Sequence, residues 1–148
     1  MTEVDVVTEM LIERPCRVVS DFAMDPDNVP RWYVNIKSVE WKTSRPVELG
    51  SQIAFVAQFL GKRLEYTYEI VELVPGESLI MRTAEGPFPM ETSYRWEAVS
   101  ENSTRMYLRN RGRPSGFSAV MSPFMSFMIR RANQKDLTRL KAVLEGEV

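Results

Sequence analysis

Three tyrosine hydroxyls are the groups in this sequence best suited to chemistry inside an apolar site. Tyr66 and Tyr68 share one parity of the alternating segment RLEYTYEIVEL, and Tyr94 has the matching inward parity in ETSYRWEAV. A buried phenol needs a hydrogen-bond partner, so each is a candidate for polarising a ligand carbonyl or holding a ligand phenol. An enzyme and a binding protein would both use such groups, and the sequence leaves that choice open.

Other acid–base groups are few because the sequence contains no histidine. Most carboxylates on the alternating segments have the opposite parity to the tyrosines and lie among arginines, which is typical of a solvated face with cross-strand ion pairs. Cys16, the single cysteine, lies at a predicted helix start, which could lower its pKa, but it has no histidine partner. We expect no metal site and no cofactor, and we assign no catalytic residue.

Large apolar side chains concentrate on the same inward parity as the tyrosines. Any one of them is more typical of an ordinary core, but several Tyr, Trp and Met side chains on one concave face favour a tolerant pocket with a few polar tips. Trp32 and Tyr33 form either a lid over that pocket or a local aromatic plug. The predicted ligand-binding residues are Trp32, Trp41, Phe55, Phe59, Tyr66, Tyr68, Met81, Tyr94, Met106 and Met125.

Composition limits the class of protein. The chain of 148 residues is 44% hydrophobic and 26% charged, which fits one domain over residues 1–148. Its net charge of -1 gives no general attraction to nucleic acid. No secretory signal is visible, and the most apolar stretch, FSAVMSPFMSFMI, is far shorter than the roughly 20 residues that cross a bilayer. We expect a cytoplasmic protein with no membrane span, although that stretch, followed by Arg130 and Arg131, could lie on a membrane or a partner.

Two hydrophobic periods divide the chain. An opening strand over residues 4–12 is followed by two short helices. From Ile36 to about Arg111 the period is two, with turn signals between the segments, which predicts hairpin-linked strands in an antiparallel meander. A long helical pattern over about 119–145 then offers the sheet one helix as its cover. The predicted fold class is α+β.

The order of these elements resembles the START-like superfamily, also called the polyketide cyclase/dehydrase and lipid transport or SRPBCC superfamily. The resemblance covers essentially the whole chain. It implies a helix-grip fold, in which a curved antiparallel sheet of about seven strands wraps around a long C-terminal helix. The residues that carry it are PCRVVSDFAMDPDNVPRWYVNIKSVEW, GKRLEYTYEIVELVPGESLIMRT, GPFPMETSYRWEAV and DLTRLKAVLE.

The resemblance implies a deep pocket between sheet and helix that takes lipids, polyketides, quinones, hormones or other apolar molecules. It does not imply one chemistry, since such a fold carries several functions. The chain departs from the Rieske ring-hydroxylating members because, without histidine, it cannot build their iron site or cluster ligands.

Three functional hypotheses remain open at this point. The first is the binding of a hydrophobic or aromatic small molecule between the sheet and the C-terminal helix. The second is a cofactor-free cyclase or dehydratase that shapes a polyketide-like substrate and polarises a carbonyl with tyrosine. The third is a regulator that binds a protein through Phe and Met side chains of the terminal helix. A homodimer is compatible with each of them.

Overall fold

The computed structural model describes residues 4–59, 61–85, 89–112 and 122–146. Its elements follow the predicted order, and the predicted start of the last helix at residue 119 lies outside the described residues. The strands are β1 (Val4–Ile12), β2 (Ile36–Trp41), β3 (Gln52–Phe59), β4 (Lys62–Val74), β5 (Ser78–Glu85), β6 (Met90–Ser100) and β7 (Ser103–Gly112). The helices are α1 (Cys16–Ala23), α2 (Val29–Trp32), which follows a 3-10 turn, and α3 (Ser122–Glu145).

All seven strands form one antiparallel sheet in the order β1-β7-β6-β5-β4-β3-β2. The predicted meander is confirmed, because β2 to β6 each pair with the next strand along the chain. The first strand instead closes onto the last, with Val6 opposite Asn110. The sheet curls into a half-barrel around α3, which packs mainly against β1.

Hairpin turns in this sheet depend on glycine. Gly61 links β3 to β4 with a φ of 77°, and Gly76 links β4 to β5 with a φ of 79°. Both angles lie in the left-handed region, where a residue with a Cβ atom is strained. The Pro75-Gly76 pair therefore sets the position at which β4 reverses into β5.

Antiparallel strands give the half-barrel two distinct ends. The links β2–β3, β4–β5 and β6–β7 lie at one end together with α1, where the Cys16 thiol contacts the Gly76 carbonyl at 3.5 Å. We call it the α1 end. The links β3–β4 and β5–β6 lie at the other, the hairpin end. Near the C-terminal end of α3, Lys141 Nζ donates to the Leu11 carbonyl over 3.1 Å, which places that end of the helix at the α1 end. A helix of 24 residues spans about 36 Å, so α3 starts toward the hairpin end.

The convex face of the sheet carries the expected charges. Arg109 and Asp5 pair across β7 and β1 with an Nη2–Oδ2 distance of 2.6 Å, and Arg82 and Glu91 pair across β5 and β6 at 2.7 Å. Each such exposed pair contributes about 0–1 kcal/mol. The prediction of a solvated face is therefore confirmed, and the opposite, concave face is the one that contacts α3.

Candidate functional site

Packing on the inner face of strand β4 loosens from the middle of the strand toward the hairpin end. On β4, Ile70 is 1% exposed and Tyr68 is 8% exposed. Tyr66 and Leu64, the next inward residues toward the hairpin end, are only half-buried. Interiors that are completely filled leave their inner side chains almost no accessible surface. At the hairpin end the core is therefore incomplete beside β4, whereas Val4 and Val6 at the same end of β1 are buried.

Helix α3 shows the same change along its length. Leu137 and Leu140, in its second half, have no accessible surface and belong to the main core cluster. Met125 and Ile129 lie on the same side of the helix nearer its start, and both are half-buried. The inward side chains in the first half of α3 are thus less completely covered than those at Leu137 and Leu140.

Two tyrosine hydroxyls meet inside the half-barrel. Tyr33, which follows α2, and Tyr94 on β6 have their hydroxyl oxygens 2.9 Å apart. Trp32 packs against both rings, with centroid distances of 4.4 Å to Tyr33 and 5.6 Å to Tyr94. Burial is the main cause that raises the pKa of both hydroxyls well above its usual range, so both stay neutral. After their mutual hydrogen bond, the pair still has one O–H to donate.

A second polar chain crosses the inner face from β4 to β7. Thr92 Oγ1 lies 2.7 Å from Asn110 Oδ1 and 3.5 Å from the Tyr68 hydroxyl. The amide oxygen of Asn110 can only accept, so the Thr92 hydroxyl donates its one hydrogen to Asn110. In the contact between Thr92 and Tyr68, the Tyr68 hydroxyl is then the donor. Burial raises the pKa of Tyr68 to about 12. Because its contact with Thr92 is long and therefore weak, the Tyr68 hydroxyl is the group of this hydrogen-bonded series that can most easily turn to another partner.

Helix α3 adds a buried carboxyl group. Asp136 is buried, and its Oδ1 accepts a hydrogen bond of 2.9 Å from the backbone N–H of Val34, the residue after Tyr33. Burial raises the pKa of Asp136 to about 7, against the smaller opposing effects of that hydrogen bond and of Arg139. The group therefore changes its protonation state near neutral pH. Its negative charge would also oppose ionisation of Tyr33 and Tyr94.

Three buried donors in the described part of the chain have no hydrogen-bond partner. They are Trp32 Nε1, Trp96 Nε1 and Asn133 Nδ2. Asn133 lies one turn before Asp136 on α3, so both side chains face the interior. A buried N–H without a partner costs about 1–3 kcal/mol. What these interior groups lack is therefore acceptor oxygens.

Comparison with known families fits this architecture. The sequence profile described as polyketide cyclase / dehydrase and lipid transport matches residues 3–145. The chain belongs to this family. A sequence search of curated proteins found no match to the chain.

Solved structures of family-like proteins share the fold at low sequence identity. TTHA0849 from Thermus thermophilus has a TM-score of 0.84 and 18% identity, over 97% of this chain and 98% of that one. A START superfamily protein from Mycobacterium smegmatis has a TM-score of 0.81 and 11% identity, over 97% and 99%. The ZhuI aromatase/cyclase from Streptomyces sp. R1128 has a TM-score of 0.81 and 14% identity, over 97% and 94%. The helix-grip prediction is confirmed.

Most of the predicted ligand-binding residues of this family member lie on the concave face. The buried ones with inward parity include Phe55, Tyr68, Met81 and Tyr94. Trp32 and Met106 have no accessible surface, so Trp32 lies as a plug in the core and not as an exposed lid. Contact of any of these residues with a ligand stays a prediction.

The other predicted residues lie nearer the periphery. Tyr66 and Met125 are half-buried toward the hairpin end. Trp41 is half-buried, and its Nε1 already donates to the Asp27 carboxylate over 2.9 Å, while the Arg45 guanidinium lies 5.0 Å from its ring centroid. This indole N–H is therefore engaged with its own chain. The side chain of Phe59 lies outside the described residues.

Two further expectations concern Cys16 and metals. Burial raises the pKa of the Cys16 thiol, which is opposite to the lowering expected at a helix start, so that expectation was wrong. Within the described ranges, no group of His, Cys, Asp or Glu side chains is arranged to hold a metal ion. No helix in that part of the chain is long and apolar enough to cross a membrane.

Sequence reasoning missed Asn133 and Asp136 as parts of the candidate site, and it named Tyr33 only as a lid or plug beside Trp32. Asn133 and Asp136 fall at helical spacing within the apolar stripe that runs through Ile129, Leu137 and Leu140. A polar residue at such a position is the signal that could have identified them. The contact between Tyr33 and Tyr94 joins residues 61 positions apart and has no comparable signal.

Proposed function

We propose that this protein binds a hydrophobic or aromatic small molecule between the sheet and the first half of α3. The observation that carries the proposal is the loosening of the packing toward the hairpin end on both surfaces, at Tyr66 and Leu64 on β4 and at Ile129 on α3. Apolar surface left accessible inside a concave sheet is what a ligand of this type would bury, at about 25 cal/mol per Å².

Tyr33 supports an internal hollow independently. Burial raises the pKa of its hydroxyl well above its usual range, yet the residue keeps part of its accessible surface. These two facts are consistent when the accessible part faces an enclosed space and not the solvent. Tyr33 would then lie at the inner wall of the proposed site.

The polar groups of the site favour a ligand with acceptor oxygens. The tyrosine pair has one O–H to spare, and Asn133 Nδ2 has no acceptor. A carbonyl oxygen entering this region would remove part of the cost of those unpartnered donors. A purely hydrocarbon ligand would leave that cost unchanged. The proposed class is therefore an aromatic, polyketide-like or quinone-like molecule.

A cyclase- or dehydratase-like enzyme is the second candidate. The observation that favours it is Asp136, a buried carboxyl group with a pKa of about 7, close enough to affect Tyr33 and Tyr94. A carboxyl group that titrates near neutral pH is suited to moving a proton, and a neutral tyrosine is suited to polarising a carbonyl. Catalysis would use the same cavity and the same ligand class.

Binding of a matched pair of ligands tests the first proposal. Fluorenone and fluorene are flat aromatic molecules that differ by one carbonyl oxygen. After correction for their octanol–water partition, fluorenone is expected to bind about 5- to 10-fold more tightly, since a hydrogen bond to a buried donor contributes about 1 kcal/mol. Quenching of tryptophan fluorescence would measure both affinities. Asn133→Leu, which removes one donor, is expected to weaken fluorenone and not fluorene.

Two results would contradict this proposal in different ways. Failure of both molecules to bind would reject a ligand site for flat aromatic molecules. Equal corrected affinities would reject the role of the buried donors and leave only an apolar cavity.

A further inference from the structure

The outer side of α3 combines exposed phenylalanines with a cluster of exposed cations. Near its start, Phe124 is 49% exposed and Phe127 is 58% exposed. Exposed cations follow at helical spacing. Together these residues, which we call the cationic face, are Phe124, Phe127, Arg130, Arg131, Lys135 and Arg139. A shallow groove of about 610 Å³ runs along this side, lined by Phe127 and the four cations among the described residues.

The charge on the cationic face is of one sign. Helix α3 has two carboxylates, of which Asp136 faces the interior. The other, Glu145, accepts hydrogen bonds from Lys141 and from the backbone N–H of Glu13 at the far end of the helix. Arg139 donates from Nε to the Arg31 carbonyl, which keeps its guanidinium on the outer surface. The net charge of the chain is -1, so this positive charge is a local concentration and not a property of the whole protein.

We propose that the cationic face docks onto the surface of an anionic lipid bilayer. No carboxylate of the described residues forms an ion pair with Arg130, Arg131 or Lys135, and such cations complement anionic headgroups. Long Arg and Lys side chains reach the headgroup layer while their stems stay in apolar surroundings. Exposed phenylalanines at one end supply the part that enters the interface. The face extends about 22 Å along a helix with a rise of about 1.5 Å per residue, which suits a flat surface.

The position of the two exposed phenylalanines in the fold determines which end of the half-barrel would face the bilayer. Phe124 and Phe127 lie at the start of α3, which is the hairpin end of the half-barrel, where Tyr66 and Ile129 are half-buried. Docking through these phenylalanines would turn the less tightly packed end toward the bilayer. The proposal does not depend on the interior site, because every residue of the cationic face listed above is exposed.

Vesicle co-sedimentation tests the proposal. The wild-type protein is expected to bind phosphatidylcholine vesicles that contain phosphatidylglycerol, and to bind pure phosphatidylcholine vesicles only weakly. Arg130→Gln with Arg131→Gln should lower the partition coefficient about 30-fold, because each basic residue near an anionic surface contributes about fivefold. High salt should weaken the wild type strongly. Phe127→Ser should weaken binding at low and at high salt alike.

The matched control removes the same charge at the other end of the molecule. Arg17 on α1 and Lys42 after β2 are exposed and lie at the α1 end. Arg17→Gln with Lys42→Gln should leave vesicle binding within about twofold of the wild type. Charges at the α1 end would lie farther from the bilayer than the Debye length of about 10 Å, so salt would screen their attraction to it.

Several outcomes would overturn the docking proposal. They are absence of binding to the anionic vesicles, equal binding to neutral and anionic vesicles, or equal losses in the two double variants. Absence of vesicle binding would leave an acidic protein as the remaining kind of partner for this face. Fluorenone affinity should be the same in the Arg130→Gln, Arg131→Gln variant and the wild type, so a failure here is distinguishable from a failure of the interior site.

Discussion

Replacing Asp136 with asparagine is expected to stabilise the protein at about pH 8, by up to about 4 kcal/mol. The pKa of this carboxyl group rises from 3.8 to about 7 because the side chain is buried. Each pKa unit corresponds to about 1.4 kcal/mol, so keeping a charged Asp136 in the interior at high pH is costly. Asparagine is neutral and keeps the oxygen that accepts the Val34 N–H.

The sign of the pH dependence follows from the raised pKa. The folded protein binds the Asp136 proton more tightly than the unfolded chain does, so the contribution of Asp136 to folding stability is highest below about pH 4 and is lost as the pH rises to about 7. The advantage of Asp136→Asn should therefore be about 3 kcal/mol larger at pH ~8 than at pH ~4.5. Urea unfolding at the two pH values would measure it. A constant difference between variant and wild type would contradict the buried, titrating carboxyl group.

The same variant separates the two candidate functions. A binding protein should keep its fluorenone affinity when Asp136 is replaced by asparagine, because the amide preserves shape and the hydrogen bond to Val34. An enzyme that moves a proton through Asp136 should lose turnover of a polyketone substrate while binding persists. Retained turnover in the variant would remove Asp136 from the mechanism.

Filling the space at the hairpin end with Ala57→Trp is expected to lower fluorenone affinity at least about tenfold. Ala57 has the inward parity of Ile53 and Phe55 on β3 and lies opposite Leu64 on β4. An indole at this position would occupy the volume that we assign to the ligand. In a hollow it should cost little stability, whereas in a filled core it would cost about 1–3 kcal/mol.

Ala54→Trp is the matched control on the same strand. Ala54 lies opposite Glu40 and Thr67 and has the parity of the convex face. Its replacement should leave fluorenone affinity unchanged. Loss of affinity in both variants would show that the effect is not specific to the interior. Strong destabilisation by Ala57→Trp alone would show that the hairpin end holds no free space.

Strand order and facing could be predicted from the sequence because they depend on local signals. The alternation in RLEYTYEIVEL placed Tyr66 and Tyr68 on the inner face, and the turn at Gly76 fixed the hairpin that follows. Period and turn chemistry act over a few residues, so they can be read without knowledge of the fold. The long helical pattern likewise predicted α3 as the cover of the sheet.

The candidate site was less predictable because its contacts are distant in sequence. The hydrogen bond between Val34 and Asp136 joins residues 102 positions apart and depends on the packing of α2 against α3. The same packing of α2 encloses Trp32 completely. Local sequence patterns could not decide whether Trp32 is a lid or a plug. The pKa of Cys16 depends on burial near Gly76, 60 residues away, and not on its helix alone.

A crystal structure of the protein under xenon pressure is the most direct test of the interior hollow, because xenon occupies apolar cavities that exclude water. We predict a xenon site between the sheet and the first half of α3, beside Leu64, Tyr66 and Ile129. Close packing of these side chains with no xenon between sheet and helix would contradict the proposed ligand site.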